Sequence, residues 1–145
     1  MRTLLLLAIV AAALATTLAA KDACPGSSAA QSKTVATSRK SPFACNRLAL
    51  TPAERKRHFD ELGPMLLALK KNVRERADGY EFEFPSDPKT FALVAEWSGQ
   101  ERLCCPFFDI SLRLEREGGP LWLRLSGRPG TKEFIRADGA KWIQQ

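Results

Sequence analysis

Three stretches of strict alternation constrain this chain more than anything else in it. YEFEFP, residues 80–85, puts Tyr80, Phe82 and Phe84 on one side of an extended chain and Glu81 and Glu83 on the other. FFDISLRLERE sets Phe108, Ile110, Leu112 and Leu114 against Asp109, Ser111, Arg113 and Glu115, and LWLRLSG carries Leu121, Leu123 and Leu125 on one side. Successive side chains of a strand point to opposite faces, so each stretch reads as a half-buried strand. The GGP between the last two turns the chain and makes them a β-hairpin. An antiparallel sheet with a single apolar face needs a second layer to cover it.

Helices supply that layer. In LTPAER, Thr51 is placed to cap a helix whose first position is Pro52. Phe59, Leu62, Leu66, Leu69 and Val73 then recur at spacings of three and four, which predicts a helix to about Ala77. Gly63-Pro64 inside that pattern is expected to kink or break it. SDPKTFALVAEWSGQERLCC is a second helix, with Ser86 or Asp87 as cap, Pro88 in its first turn and Pro106 marking its end. GTKEFIRAD reads as a short helix capped by Thr131 and ending near Gly139, and the apolar segment Phe43 to Leu50 reads as a first strand. The order β-α-β-α-β-β-α implies an α+β fold: an antiparallel-rich sheet of about four strands with helices packed on one face.

The chain opens MRTLLLLAIVAAALATTLAA, an early arginine, an apolar run and a small-residue end. That is the layout of a secretory signal peptide, expected over residues 1–20. Residues 21–41 are rich in Ser, Ala, Thr and Lys without large apolar side chains and read as a flexible linker. Residues 42–145 are left for one α+β domain, expected to be periplasmic or secreted, with no stable membrane insertion after signal cleavage. Residues 1–20 hold one arginine and no acid, so the mature chain stays mildly basic, close to the formal +6 of the whole. Its basic residues are interleaved with acids, as in ERKRHFDE, which marks a solvated helix face. Nucleic acid is therefore not an expected partner, and the charge supports only a weak affinity for anionic surfaces.

The chemistry concentrates in ERLCCPF. Of the four cysteines, Cys24 lies in the linker and Cys45, Cys104 and Cys105 in the domain. Adjacent Cα atoms lie about 3.8 Å apart, below the disulfide range, so a Cys104–Cys105 bridge is strained and the other pairings join one of the two to Cys45. On a wheel of the second helix, Phe91, Val94, Trp97, Cys104 and Cys105 share one broad face, with Glu101 near its middle. A carboxylate on an apolar stripe needs a partner, either an arginine or lysine from the sheet or first helix, or a thiol or metal beside it.

Pro106 pushes Cys105 out of the α region, which leaves both sulfurs free to converge. With Cys45 they would form a three-thiolate cluster, with Glu101 alongside, suited to Cu(I), Hg(II), Zn(II) or trivalent arsenic, As(III). The spacing is not that of a zinc finger. Two readings stand beside this one. A bridge from Cys45 would make the domain a disulfide-stapled, non-catalytic interaction module without cofactor, its protein partner unknown. A thiol redox protein is the third, and the C-terminal helix position opposes it, since the helix dipole there raises a thiol pKa. No Ser-His-acid arrangement can be assembled from one histidine, so an enzyme is not expected.

Other residues read plainly. His58 falls at the edge of the first helix's apolar face, a boundary residue or a fourth metal ligand. Trp97 and Trp122 read as core anchors. SGRPG, residues 126–130, reads as a turn, since it lacks the glycine and lysine spacing of a phosphate loop.

The stretches FACNRLALTPAERKRH, AEWSGQERLCCPFFDISLRLE and GGPLWLRLSGRPGTKEFIRA together resemble a family of small, largely uncharacterised bacterial proteins. Its pattern is a cysteine before a long helix, then E-R-x-C-C-P-F, then G-P-L-W-L-R-L-[ST]-G and K-E-F. The resemblance spans about Phe43 to Ala137 and implies that Cys45, Glu101, Cys104 and Cys105 belong to one pattern; no activity comes with it. This chain departs from the pattern in its signal peptide and in a linker bearing Cys24.

Overall fold

The computed structural model describes residues 40–144. The expected signal peptide, nearly all of the linker and Cys24 lie outside the described residues. Four antiparallel strands form one sheet: β1 (Asn72–Glu75), β2 (Gly79–Phe84), β3 (Phe108–Leu114) and β4 (Leu121–Gly127), in the order β1-β2-β4-β3. The alternation works as expected. Val73, Phe82, Leu123 and Leu112 lie opposite one another across the sheet, as do Tyr80, Leu125 and Ile110, and this face packs on the helices.

The four strands are not the four read from the sequence. Phe43 to Leu50 is not a strand; its regular part is a 3-10 turn, Arg47–Ala49. The fourth strand is β1, inside the stretch expected to be helical. Helix ends at Leu69, Lys70 turns extended (ψ 131°), and Lys71 donates its N–H to the Glu83 carbonyl. Val73 fits the spacing of a helix and also a strand opposite Phe82; the apolar face of the sheet decides between them.

Ahead of β1 the helical run has three parts: α1 (Pro52–Lys56), a π-helical segment (Arg57–Leu62) and α2 (Gly63–Leu69). Thr51 and Glu54 cap α1 reciprocally, with Pro52 at its first position. Of the kink or break expected at Gly63-Pro64, the break does not occur. Pro64 cannot donate to a carbonyl four residues back and its ring crowds that carbonyl. The helix widens instead, with Gly63 N–H donating to the His58 carbonyl, five residues back.

Helix α3 (Pro88–Cys104) follows β2, its cap being Asp87, which accepts from the Lys89 and Thr90 N–H groups and the Thr90 hydroxyl. After β4 come α4 (Thr131–Asp138) and the short α5 (Ala140–Ile143). Thr131 is not the cap of α4; Gly130 occupies that place at φ +100°, and a side chain there would strike the Phe43 ring. One core holds Leu62, Leu66, Phe82, Val94, Trp97 and Leu123 between helices and sheet. Trp97 anchors it as expected. Trp122 is just as buried but on the opposite face, under the guanidinium of Arg74, 3.8 Å from the ring centre, and flanked by Arg113. Among the described residues no helix is long and apolar enough to cross a membrane.

Candidate functional site: a three-sulfur cluster beside a buried histidine–glutamate pair

A second, smaller core lies where α3 ends. It is built of Leu50, Cys104, Cys105 and Phe107, with Cys45, Phe59, Phe108 and Phe134 against it. Cys104 closes α3, and Cys105 follows at φ −121°, ψ 70°, out of the helical region as Pro106 behind it requires. Two hydrogen bonds fix the turn: Cys105 N–H to the Glu101 carbonyl, 2.7 Å, and Phe108 N–H to the Cys105 carbonyl, 3.2 Å.

The segment carrying Cys45 is brought here by its neighbours. Asn46 N–H donates to the Cys104 carbonyl at 2.7 Å, and Phe43 packs edge-on against Phe107. Arg47 lies 4.0 Å above the Phe59 ring. The first two contacts span about 60 residues of chain and set Cys45 against the helix end. Cys45 and Cys105 form a disulfide, Cα atoms 4.7 Å apart. Cys104 is the free cysteine among the described residues and is fully buried. The sulfur atoms of Cys45, Cys104 and Cys105 all lie within 4.8 Å of one another. Burial pushes the Cys104 thiol up to about 11, with the nearby Glu101 charge adding to the effect and Arg47 opposing it.

Glu101 is buried, and its Oε2 lies 2.9 Å from Nε2 of His58, itself only 2 % exposed. Its partner comes from the first helical run, as one expectation had it, but is the histidine rather than an arginine or lysine. The carboxylate is not one of the groups gathered with the sulfurs. His58 stacks on Trp97, ring centres 5.3 Å apart and nearly parallel, and Phe59 meets it edge-on. Beside this contact Arg57 makes a two-pronged pair with Glu96 of α3, both bonds 2.9 Å. His58, Glu101, Trp97 and Trp142 are among the residues that line a pocket of about 350 Å³.

The buried position of His58 follows from the π-helical segment. A regular helix turns 100° per residue, which leaves His58 at the edge of the apolar face. Where hydrogen bonds span five residues the turn is wider, and His58 comes into line with Leu62, both buried. The signal in the sequence is Pro64 six residues on, which is what the widened turn accommodates.

Chemically, the reduced cluster offers three soft donors at one point and the oxidised one a half-buried crosslink with a buried thiol beside it. Neither protein-family models, nor curated proteins, nor solved structures give a match to this chain.

Proposed function

We propose that the reduced protein holds one soft metal or metalloid ion between Cys45, Cys104 and Cys105, and that it acts outside the cytoplasm in resistance or trafficking rather than turnover. The observation that carries this reading is the grouping of three sulfur atoms within 4.8 Å, two from the end of α3 and one from 60 residues earlier. Thiolates select Cu(I), Hg(II), Zn(II) and trivalent arsenic over hard cations. Glu101 stands behind the ligands, engaged with His58.

The Cys45–Cys105 bond closes the site. Opening it takes two electrons and two protons, supplied by a thiol reductant, and leaves three thiols. Titration of reduced protein with Cu(I) or Hg(II) against a competing thiol is expected to saturate at one equivalent. Cys104→Ser leaves the crosslink pair intact and is expected to lose tight binding; unchanged affinity in that variant would sink the proposal.

A second reading, a disulfide-stapled interaction module without cofactor, is favoured by the bond itself. It predicts oxidised protein whose Cys45–Cys105 bond survives millimolar glutathione and whose reduced form gains no tight site. Thiol redox catalysis ranks behind both, because a thiol held near 11 is a poor nucleophile at neutral pH.

A further inference from the structure

Strand β3 stands at the end of the sheet, hydrogen-bonded to β4 on one side. Among the described residues nothing pairs its other edge. Natural edge strands are blunted by proline, charged side chains, a bulge or a covering element, and the charges of β3 are Asp109 and Arg113. Phe108–Leu114 has no proline and no lysine, and pairs with β4 residue for residue without a bulge. Its apolar side chains are incompletely covered: Phe108, Ile110 and Leu112 are half-buried and Leu114 is 51 % exposed. The flank of α3 above carries Phe91, 37 % exposed, on the same helical stripe as Ala95 and Arg102, and Arg102 lines a groove with Phe108 and Ile110. The open edge therefore runs beside a groove lined by Arg102, Phe108 and Ile110.

We infer that β3 pairs antiparallel with β3 of a second copy of this chain, joining two four-stranded sheets into one of eight strands. The strand is self-complementary in one register. Centred on Ser111, a two-fold axis sets Asp109 opposite the partner's Arg113, Phe108 opposite Leu114, and Ile110 opposite Leu112. Every pair then joins like with like or charge with counter-charge, and the Asp109–Arg113 pair occurs twice. Shifting the register by two residues sets Asp109 opposite Ser111 one way, and Asp109 opposite the partner's Glu115, like charges facing, the other way. Asp109 has no ion-pair partner among the described residues, whereas Arg113 pairs with its neighbour Glu115 at 2.6 Å, both half-exposed, and flanks the Trp122 ring. Registers with opposite charges facing are favoured and like charges facing are not. The pairing also brings the exposed Leu114 of each copy into contact with the partner's Phe108, and a two-fold partner of this kind closes the assembly at a dimer.

Sedimentation of the full chain at tens of micromolar tests this. A dimer is expected, with Asp109→Arg and Arg113→Asp each weakening it about tenfold or more, because each sets like charges opposite twice. The double variant, D109R with R113D, exchanges the charges and restores dimerisation to within about threefold of the native value. A monomer at these concentrations, or a dimer indifferent to both single changes, overturns the inference. So does protection of β3 amides from hydrogen exchange in a monomeric chain, lost when residues 1–39 are removed, because the occupant of the edge is then the chain's own N-terminal segment.

Discussion

Glu101 is the residue on which the second helix turns from a packing element into part of a site. Its carboxylate sits on a buried face with Val94, Trp97 and Cys104, and the need for a partner was legible in that pattern alone. Which partner was not legible, because a wheel drawn at 100° per residue leaves His58 at the boundary and only the widened turn before Pro64 brings it inward. The pair makes a specific demand on stability. Glu101→Leu strands His58 and His58→Phe strands Glu101, each costing about 3 kcal/mol in denaturant unfolding, while the double replacement recovers most of the loss. Strictly additive losses would mean that the two side chains do not act together. Cys104 makes the second demand. With burial holding its thiol near 11, peptide mapping of native oxidised protein at pH 8 should find it unalkylated, and labelled at once after denaturation.

At the scale of elements, period-two alternation is a local signal, and β2, β3 and β4 stood in the sequence close to their observed bounds. The edge strand β1 did not, because Asn72–Glu75 is extended only through its pairing with β2, a contact the local pattern cannot express. Cys45 was placed on a strand that does not exist. Its approach to the end of α3 rests instead on Phe43 and Asn46, residues whose neighbours Phe107 and Cys104 are far along the chain. Two changes probe these couplings. In oxidised protein Cys45→Ala opens a 60-residue loop and should cost about 4 kcal/mol, read as a lower unfolding midpoint, with no such difference between the reduced proteins. Gly79→Ala should cost about 2 kcal/mol, since a Cβ there collides with the Leu125 carbonyl of the paired strand, whereas the same change at the open Gly99 should be tolerated.

For the whole molecule, an α+β architecture with one covered sheet face was readable because the apolar residues of all three alternating stretches demanded the same side. The opposite face was not, and Trp122 shows why: a tryptophan in an alternating strand counts as polar-side or core-side only once something covers it, here Arg74 and Arg113. The cysteine grouping was legible in outline from Cys104-Cys105-Pro106, whose backbone logic is local, while the choice of Cys105 over Cys104 as the partner of Cys45 depends on tertiary placement. Two states of one cluster then follow, a crosslink when oxidised and a three-sulfur site when reduced. Arsenite distinguishes a true three-sulfur site from a pair of thiols, because As(OH)₃ condensing with three thiols releases three waters and keeps no oxygen. X-ray absorption at the arsenic edge of reduced protein loaded with one equivalent is the most direct measurement. Three As–S neighbours and no As–O neighbour are the expected result, and arsenic that retains oxygen with two sulfurs or fewer would contradict the three-thiolate site.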